Sequence, residues 1–238
     1  MESAQSHIAQ YLALRKKENR IYTDAQLRML PNIERTHPHC KEWIARKRSA
    51  DWLIQQLSEN SVKSVKSVIE VGCGNGWLAN RIASAGMQVT AIDVNLVELQ
   101  QGKAVFKDND RLHFRAGDLY TAVEKNEAFD AVVFAASIQY FSSFETIIQK
   151  ALAHLRSKGR IYIIDSHFYK NHEITAARQR TIDYYTTAGF ASLSEHYFHH
   201  PVDVLASFNT QVLYDPRNWK NVFRRKHEPF HRICIQKS

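Results

Sequence analysis

Apolar positions recur every three or four residues through the first sixty residues of the chain, then give way to short β-branched runs separated by helix-length stretches. In the first part, Ile8, Tyr11 and Leu12 with a Lys/Arg tail outline one helix, and Asp24 to Leu30 a short second one. Trp43, Ile44, Ala50, Leu53, Ile54 and Leu57 outline a long third helix behind Pro38. Ser61 to Val68 reads as a connector, so the spacing predicts a helical extension over residues 1–60 and a second unit over 61–238. In that second unit Val68–Val71, Gln88–Ile92, Leu112–Arg115, Ala131–Phe134 and Arg160–Ile164 read as strands. The stretches between them, Trp77–Ala85, Leu96–Phe106, Thr121–Asn126 and Phe144–Leu155, read as helices, the first closed by Gly86 and the last by Gly159. A further helix spans about Glu173 to Thr187 with Gly189 as its stop. Ser192–His199 and Phe230–Gln236 then suggest an antiparallel hairpin at one sheet edge. Strands alternating with helices imply an α/β fold, a doubly wound and mostly parallel sheet of seven strands.

Composition adds limits to this picture. A chain of 238 residues, 44% hydrophobic and 24% charged, is ordinary for a globular protein and long enough to bury roughly three quarters of its unfolded surface. The longest apolar run is Ala131 to Ala136, and charged residues interrupt the first thirty positions, so neither a membrane span nor a secretory signal is expected. Cys40, Cys73 and Cys234 stand 33 and 161 residues apart, which builds neither a disulfide framework nor a CxxC metal pair and makes a reducing cytoplasm the expected location. The net charge of +8 is compatible with nucleic acid or anionic ligands and identifies neither.

Three of only eight glycines, Gly72, Gly74 and Gly76, occupy five positions where a strand meets a helix. Such a turn lets backbone approach a ligand closely at a helix N-terminus. The dinucleotide fingerprint needs a small residue three positions after its second glycine. Trp77 stands there and argues against a nicotinamide site. The motif is instead Glu70-x-Gly72-x-Gly74-x-Gly76, followed 17 residues later by Asp93 at the end of the second strand, then by Ala116-Gly117-Asp118-Leu119 and by Phe129-Asp130-Ala131-Val132-Val133-Phe134-Ala135-Ala136-Ser137. In this order the chain resembles the class I S-adenosylmethionine-dependent methyltransferases over about residues 66 to 165.

The resemblance implies a Rossmann-like methyltransferase fold with S-adenosylmethionine as cofactor. It assigns cofactor contacts to Glu70, Gly72, Cys73, Gly74, Asn75 and Gly76, to Asp93 and Val94 at the ribose, to Asp118 and Leu119 at the adenine, and to Ala135 near the transferred methyl. Asp93 or Asp118 alone fits a strand-end turn or a helix cap as well; their placement at the carboxyl ends of successive parallel strands favours a ligand. Arg46 is a candidate donor to the methionine carboxylate, with a solvated helix face as the alternative. Tyr140 and His167 follow the fourth and fifth strands and are the candidate base or acceptor contacts, against a purely packing role. His196 and His200 lie about 13 Å apart if on a strand, too far for one ion, and no metal is expected.

A small-molecule acceptor is the expected substrate. The alternative of an RNA acceptor draws on the basic stretch around Arg224, Arg225 and Lys226, but no recognisable RNA-binding module or amine-methylating motif accompanies it. A non-catalytic protein that binds adenosyl ligands on the same fold is the third reading.

Overall fold

A computed structural model describes residues 2–59, 67–222 and 228–237. Helices α1 (Glu2–Lys17), α2 (Asp24–Met29) and α3 (Cys40–Glu59) come first. They are followed by β1 (Ser67–Val71), α4 (Trp77–Ser84), β2 (Gln88–Asp93), α5 (Leu96–Val105), β3 (Leu112–Ala116), β4 (Phe129–Ala135), α6 (Phe144–Ala153), β5 (Leu155–Ser166), α7 (Ile174–Ala188), β6 (Thr210–Tyr214) and β7 (His231–Gln236). Among the described residues the strands form one seven-stranded sheet in the order β3-β2-β1-β4-β5-β7-β6. The first five are parallel, and β7 lies antiparallel between β5 and β6. The order reverses at β1, so the carboxyl ends of β1, β2 and β4 frame a crevice, the place where such sheets take ligands.

Strand alternation sorts the core into two layers. On one face Val68, Val89, Ala91, Val133 and Ile164 pack with α4 and with Trp43, Leu53 and Leu57 of α3, and the same cluster takes in Tyr22, Leu27 and Leu30. On the other, Ile69, Val71, Val132, Phe134 and Ile163 pack under α6. The short helix α2 is held at its start by a capping box, in which the Thr23 hydroxyl accepts the Gln26 N–H and the Gln26 side chain accepts the Thr23 N–H. A third, smaller cluster of Leu14, Tyr185 and Leu193, with Tyr11 and Tyr197, seats α1 on α7.

Three expectations of secondary structure are corrected. Ser192–His199 is not a strand: residues 191–196 form a 3-10 turn, in which only Leu193 is fully buried. The edge strand is instead Thr210–Tyr214, a β-branched and aromatic run paired with β7. Thr121–Asn126 makes turns rather than a helix, because Asp118 Oδ1 accepts the Tyr120 and Thr121 N–H groups. The bidentate Arg115–Glu127 pair closes that loop. Finally, α6 stops at Ala153, and Gly159 lies inside the irregular start of β5 rather than ending the helix. The Ser61 to Lys66 part of the expected connector, and Arg224, Arg225 and Lys226 of the basic stretch, lie outside the described residues.

The glycine turn is wedged between β3 and α5. Gly76 has φ +74°, and a Cβ there would meet the Phe114 ring at 2.4 Å. Gly102 of α5 has helical backbone, yet a Cβ on it would sit 2.3 Å from the Asn75 carbonyl oxygen. Alanine gains about 1 kcal/mol over glycine in an open helix. At Gly102 the fixed backbone opposite reverses the sign, so Gly102→Ala is expected to destabilise by about 1 to 3 kcal/mol. Urea unfolding checks this as a lowered midpoint at unchanged slope; a raised midpoint would show that α5 does not bear on the turn.

Candidate active site

The crevice opens into a cavity of about 460 Å³. Its floor is the strand ends and its roof the N-terminal segment: His7, Ile8, Tyr11 and Arg15 from α1, Arg20 and Tyr22 from the following loop, and Glu42, Trp43 and Arg46 from α3. Glu70, Gly72, Cys73, Gly74, Asn75, Asp93, Val94, Asp118, Ala135, Arg46 and Tyr140 all line it. Gly76 and Leu119 are not among the lining residues; Leu119 is fully buried beneath the strand ends. His167 also lies outside, because β5 continues to Ser166 and pairs there with His231 of β7. The His167 ring packs on Phe230 with centroids 4.8 Å apart instead of facing the crevice.

Asp93 is fixed by the turn it serves. Its Oδ2 accepts the Gly74 N–H at 2.7 Å and its Oδ1 the Asn95 N–H at 2.8 Å. Burial raises its pKa and these N–H donors oppose the rise. Each carboxylate oxygen keeps a further acceptor site, so the group can still take hydroxyl donors from a ligand. Asn95 caps α5 through Oδ1 and donates to Glu98 Oε2 at 2.8 Å. Burial, then the charge of Asp93, raises the Glu98 carboxyl to about 7.

Glu70 lies under the glycine turn. Burial pushes its carboxyl up to about 8, against the lowering effect of the Ala79 N–H it accepts at the start of α4. Its Oε2 has no hydrogen-bond partner in the structure. An orphaned acceptor in the floor of a cavity is what a ligand donor would satisfy. At the far wall the Ser137 hydroxyl donates to the Val71 carbonyl at 2.6 Å, tying the end of β4 to that of β1. Ala136 beside it is held at φ +54°, in the left-handed region, where non-glycine residues tend to mark functional sites. This bend delivers Tyr140, which is 40% exposed and edge-on to Tyr11 with centroids 6.4 Å apart.

Guanidiniums furnish the roof. Arg20 binds Glu42 through both terminal nitrogens at 2.9 and 2.6 Å, and Arg46 Nε donates to the same carboxylate at 2.9 Å. Burial works to raise the Glu42 pKa, but the two guanidiniums outweigh it and hold the carboxyl well below the usual range. One carboxylate thus serves two cations, and the cavity wall keeps positive charge for an anionic ligand group. Trp43 Nε1 donates to Tyr22 Oη at 2.7 Å and its ring stands edge-on to Trp77 at 5.1 Å, so Trp77 packs toward α3.

Residues 68–159 match the methyltransferase domain family. Those residues are a methyltransferase domain. The matched segment holds the glycine turn, Asp93, Asp118 and the end of β4. The chain is 28% identical over 137 residues to a malonyl-[acyl-carrier protein] O-methyltransferase of Priestia megaterium, covering 54% of this chain and 48% of that one. It is 24% identical over 114 residues to a ubiquinone biosynthesis O-methyltransferase of Rickettsia canadensis, covering 46% and 47%. The chain therefore spans about half the length of the curated relatives it matches. Among solved structures, the magnesium protoporphyrin IX methyltransferase of Synechocystis superposes with a TM-score of 0.59 at 15% identity, over 90% of this chain and 93% of that one. That structure holds bound SAH.

S-adenosylmethionine is the cofactor of this domain, and the residues present fit it. A polar floor with an unpaired carboxylate oxygen, an acid already fixed on the turn and guanidiniums in the roof would be available to its ammonium, ribose and carboxylate groups. His7, which the sequence reading passed over, and His196, weighed there only as a metal ligand, line the same space. They are too far apart in the chain for any spacing rule to join them. His199 and His200 serve the framework, His199 Nε2 lying 2.9 Å from Thr181 Oγ1 and His200 Nε2 donating to the Ile138 carbonyl at 3.1 Å. Among the described residues no group of three or more His, Cys, Asp or Glu side chains forms a metal site.

The buried Glu70 carries a pH prediction. Its folded pKa of about 8 lies above the ordinary 4.5, so the native state holds its proton more tightly than the unfolded chain. The contribution of Glu70 is complete below pH 4.5 and is lost as pH rises toward 8. Glu70→Gln is expected to flatten the decline in unfolding free energy across that window, measured by denaturant titration at several pH values. An unchanged slope would mean that the carboxyl ionises freely in the fold.

Proposed function

We propose that this protein transfers the methyl group of S-adenosylmethionine to a small-molecule acceptor. The observation that carries the reading is the cavity between the strand ends and α1 and α3, with the acid and glycine positions of the methyltransferase motifs on its floor. In this reading Asp93 accepts the ribose hydroxyls, Asp118 lies at the adenine, Glu70 faces the ammonium group and Arg46 the carboxylate. The cofactor supplies a methyl group on a positively charged sulfur. The chain's own residues align the partners and exclude water while that charge disperses.

A roof formed by α1 and α3 favours an acceptor small enough to enter beneath it over a folded polymer. The O-methyltransferase names of the relatives support an oxygen nucleophile. An RNA acceptor draws on the net charge of +8 and on the basic stretch at Arg224, Arg225 and Lys226, with no recognisable RNA-binding module beside them. Among the described residues no helix is long and apolar enough to cross a membrane, and nothing in the reading calls for one.

Two experiments test the reading. Isothermal titration with S-adenosylhomocysteine is expected to give binding that Asp93→Ala weakens by about 1 to 3 kcal/mol, the cost of losing charge-assisted hydrogen bonds. Unchanged affinity in a folded variant removes Asp93 from the site. Labelled S-adenosylmethionine incubated with cell extract should place label in the small-molecule fraction. Label in RNA, with retention on RNA at physiological salt that Arg224→Ala/Arg225→Ala/Lys226→Ala abolishes, would replace the small-molecule reading.

A further inference from the structure

His7 of α1 and His196 of the 191–196 turn meet ring to ring, with centroids 4.1 Å apart and planes tilted by 53°. Both line the cavity, next to Ile8, Tyr11, Tyr140 and Phe141. Other histidines are spent on the framework: His154 Nδ1 donates to the Glu127 carbonyl, His200 to that of Ile138, and His231 Nδ1 accepts the Phe168 N–H. Among the described residues neither His7 nor His196 has such a hydrogen bond or a carboxylate ion pair. Burial, and then the nearness of His196, lowers the His7 pKa, which keeps an unprotonated imidazole available at neutral pH.

The surrounding wall says what this base acts on. Tyr11 and Tyr140 stand edge to face and, with Phe141, share the cavity wall with the imidazoles, so the cavity offers aromatic surface as well as a base. The nearby cation, Arg15, already donates Nε to Tyr11 Oη at 3.0 Å and lies 3.6 Å from Glu18. A carboxylate acceptor would need no base and would ask for an uncommitted cation. A phenol needs the base and fits between rings.

Building on the methyltransferase reading above, we propose that the acceptor is a phenol and that the His7–His196 pair takes its hydroxyl proton. The O–H bond breaks with the proton passing to an imidazole nitrogen. An oxygen lone pair forms the new bond to the methyl carbon as the carbon–sulfur bond breaks, and that bond's electron pair stays on sulfur, which becomes a neutral thioether. The imidazolium then returns its proton to water.

The test uses 4-nitrophenol, whose neutral and phenolate forms absorb at different wavelengths, with S-adenosylhomocysteine present. Mixing with the wild-type protein at a pH where the free phenol is mostly neutral should give a saturable rise in the phenolate band. His7→Gln/His196→Gln should lose that rise while its titration with S-adenosylhomocysteine stays within about twofold, a range that excludes misfolding. With S-adenosylmethionine, the variant should lose about a hundredfold or more in turnover of unsubstituted phenol and far less with 4-nitrophenol at alkaline pH, where the nucleophile is already ionised. No saturable band in the wild type, an equal band in the variant, or equal loss on both phenols overturns the proposal. Absence of S-adenosylhomocysteine binding to the wild type would instead overturn the methyltransferase reading.

Discussion

The site depends on one carboxylate that binds backbone. Asp93 closes β2, yet both of its oxygens are held by N–H groups of turns, Gly74 after β1 and Asn95 before α5. The Gly72 and Cys73 N–H groups reach across to the Ile92 carbonyl, so the two strand ends are laced together from both sides. Hydrogen bonds to a charged group contribute about 1.5 to 3 kcal/mol each. That is enough to hold a left-handed glycine turn. With the turn fixed, α4 starts beneath it, α5 packs behind it at Gly102, and the crevice between β1, β2 and β4 acquires a defined floor.

The roof obeys a different rule. Tyr22, Leu27, Trp43, Leu53 and Leu57 share a core with the sheet, so the N-terminal helices are fastened by apolar burial below and present polar groups above. Glu42 organises those groups by accepting from Arg20 and Arg46 at once. Removing one member of such a partly buried cluster leaves the others poorly compensated. α1 is fixed separately, through Leu14 on Tyr185 and Leu193, and this second seam carries His7 to His196.

The parallel half of the fold was legible because period-two runs, closing glycines and strand-end acids are local signals. Glu70, Asp93 and Asp118 could be picked out by position, and all three line the cavity. The reading failed where long-range packing overrode local pattern. Ser192 to His199 alternates weakly, but burying Leu193 under α1 favours a tight turn, while Thr210 to Tyr214 pairs with β7. Thr121 to Asn126 has helix-forming residues, yet Asp118 captures its first N–H groups and the Arg115–Glu127 pair spans the loop. His167 is adjacent to the correct strand end, but the pairing of Ser166 with His231 carries it away from the crevice. The converse holds for His7 and His196, whose meeting is set by how α1 docks on α7 and appears nowhere in the spacing.

Burial acts on Glu70, Glu98, Asp93 and His7 in one direction, toward the uncharged form. It raises Glu70 and Glu98, raises Asp93 against the pull of its N–H donors, and lowers His7. Groups that keep their charge, such as Glu42 between two guanidiniums, do so because a partner outweighs the desolvation. A cavity of this kind suits a reaction that moves a methyl from a cation to a neutral nucleophile, since charge disperses on the way to the transition state and water would oppose it. The carboxyls so lifted, to about 8 at Glu70 and about 7 at Glu98, hold their protons more tightly than in water, whereas the buried imidazole of His7 gives its proton up more readily.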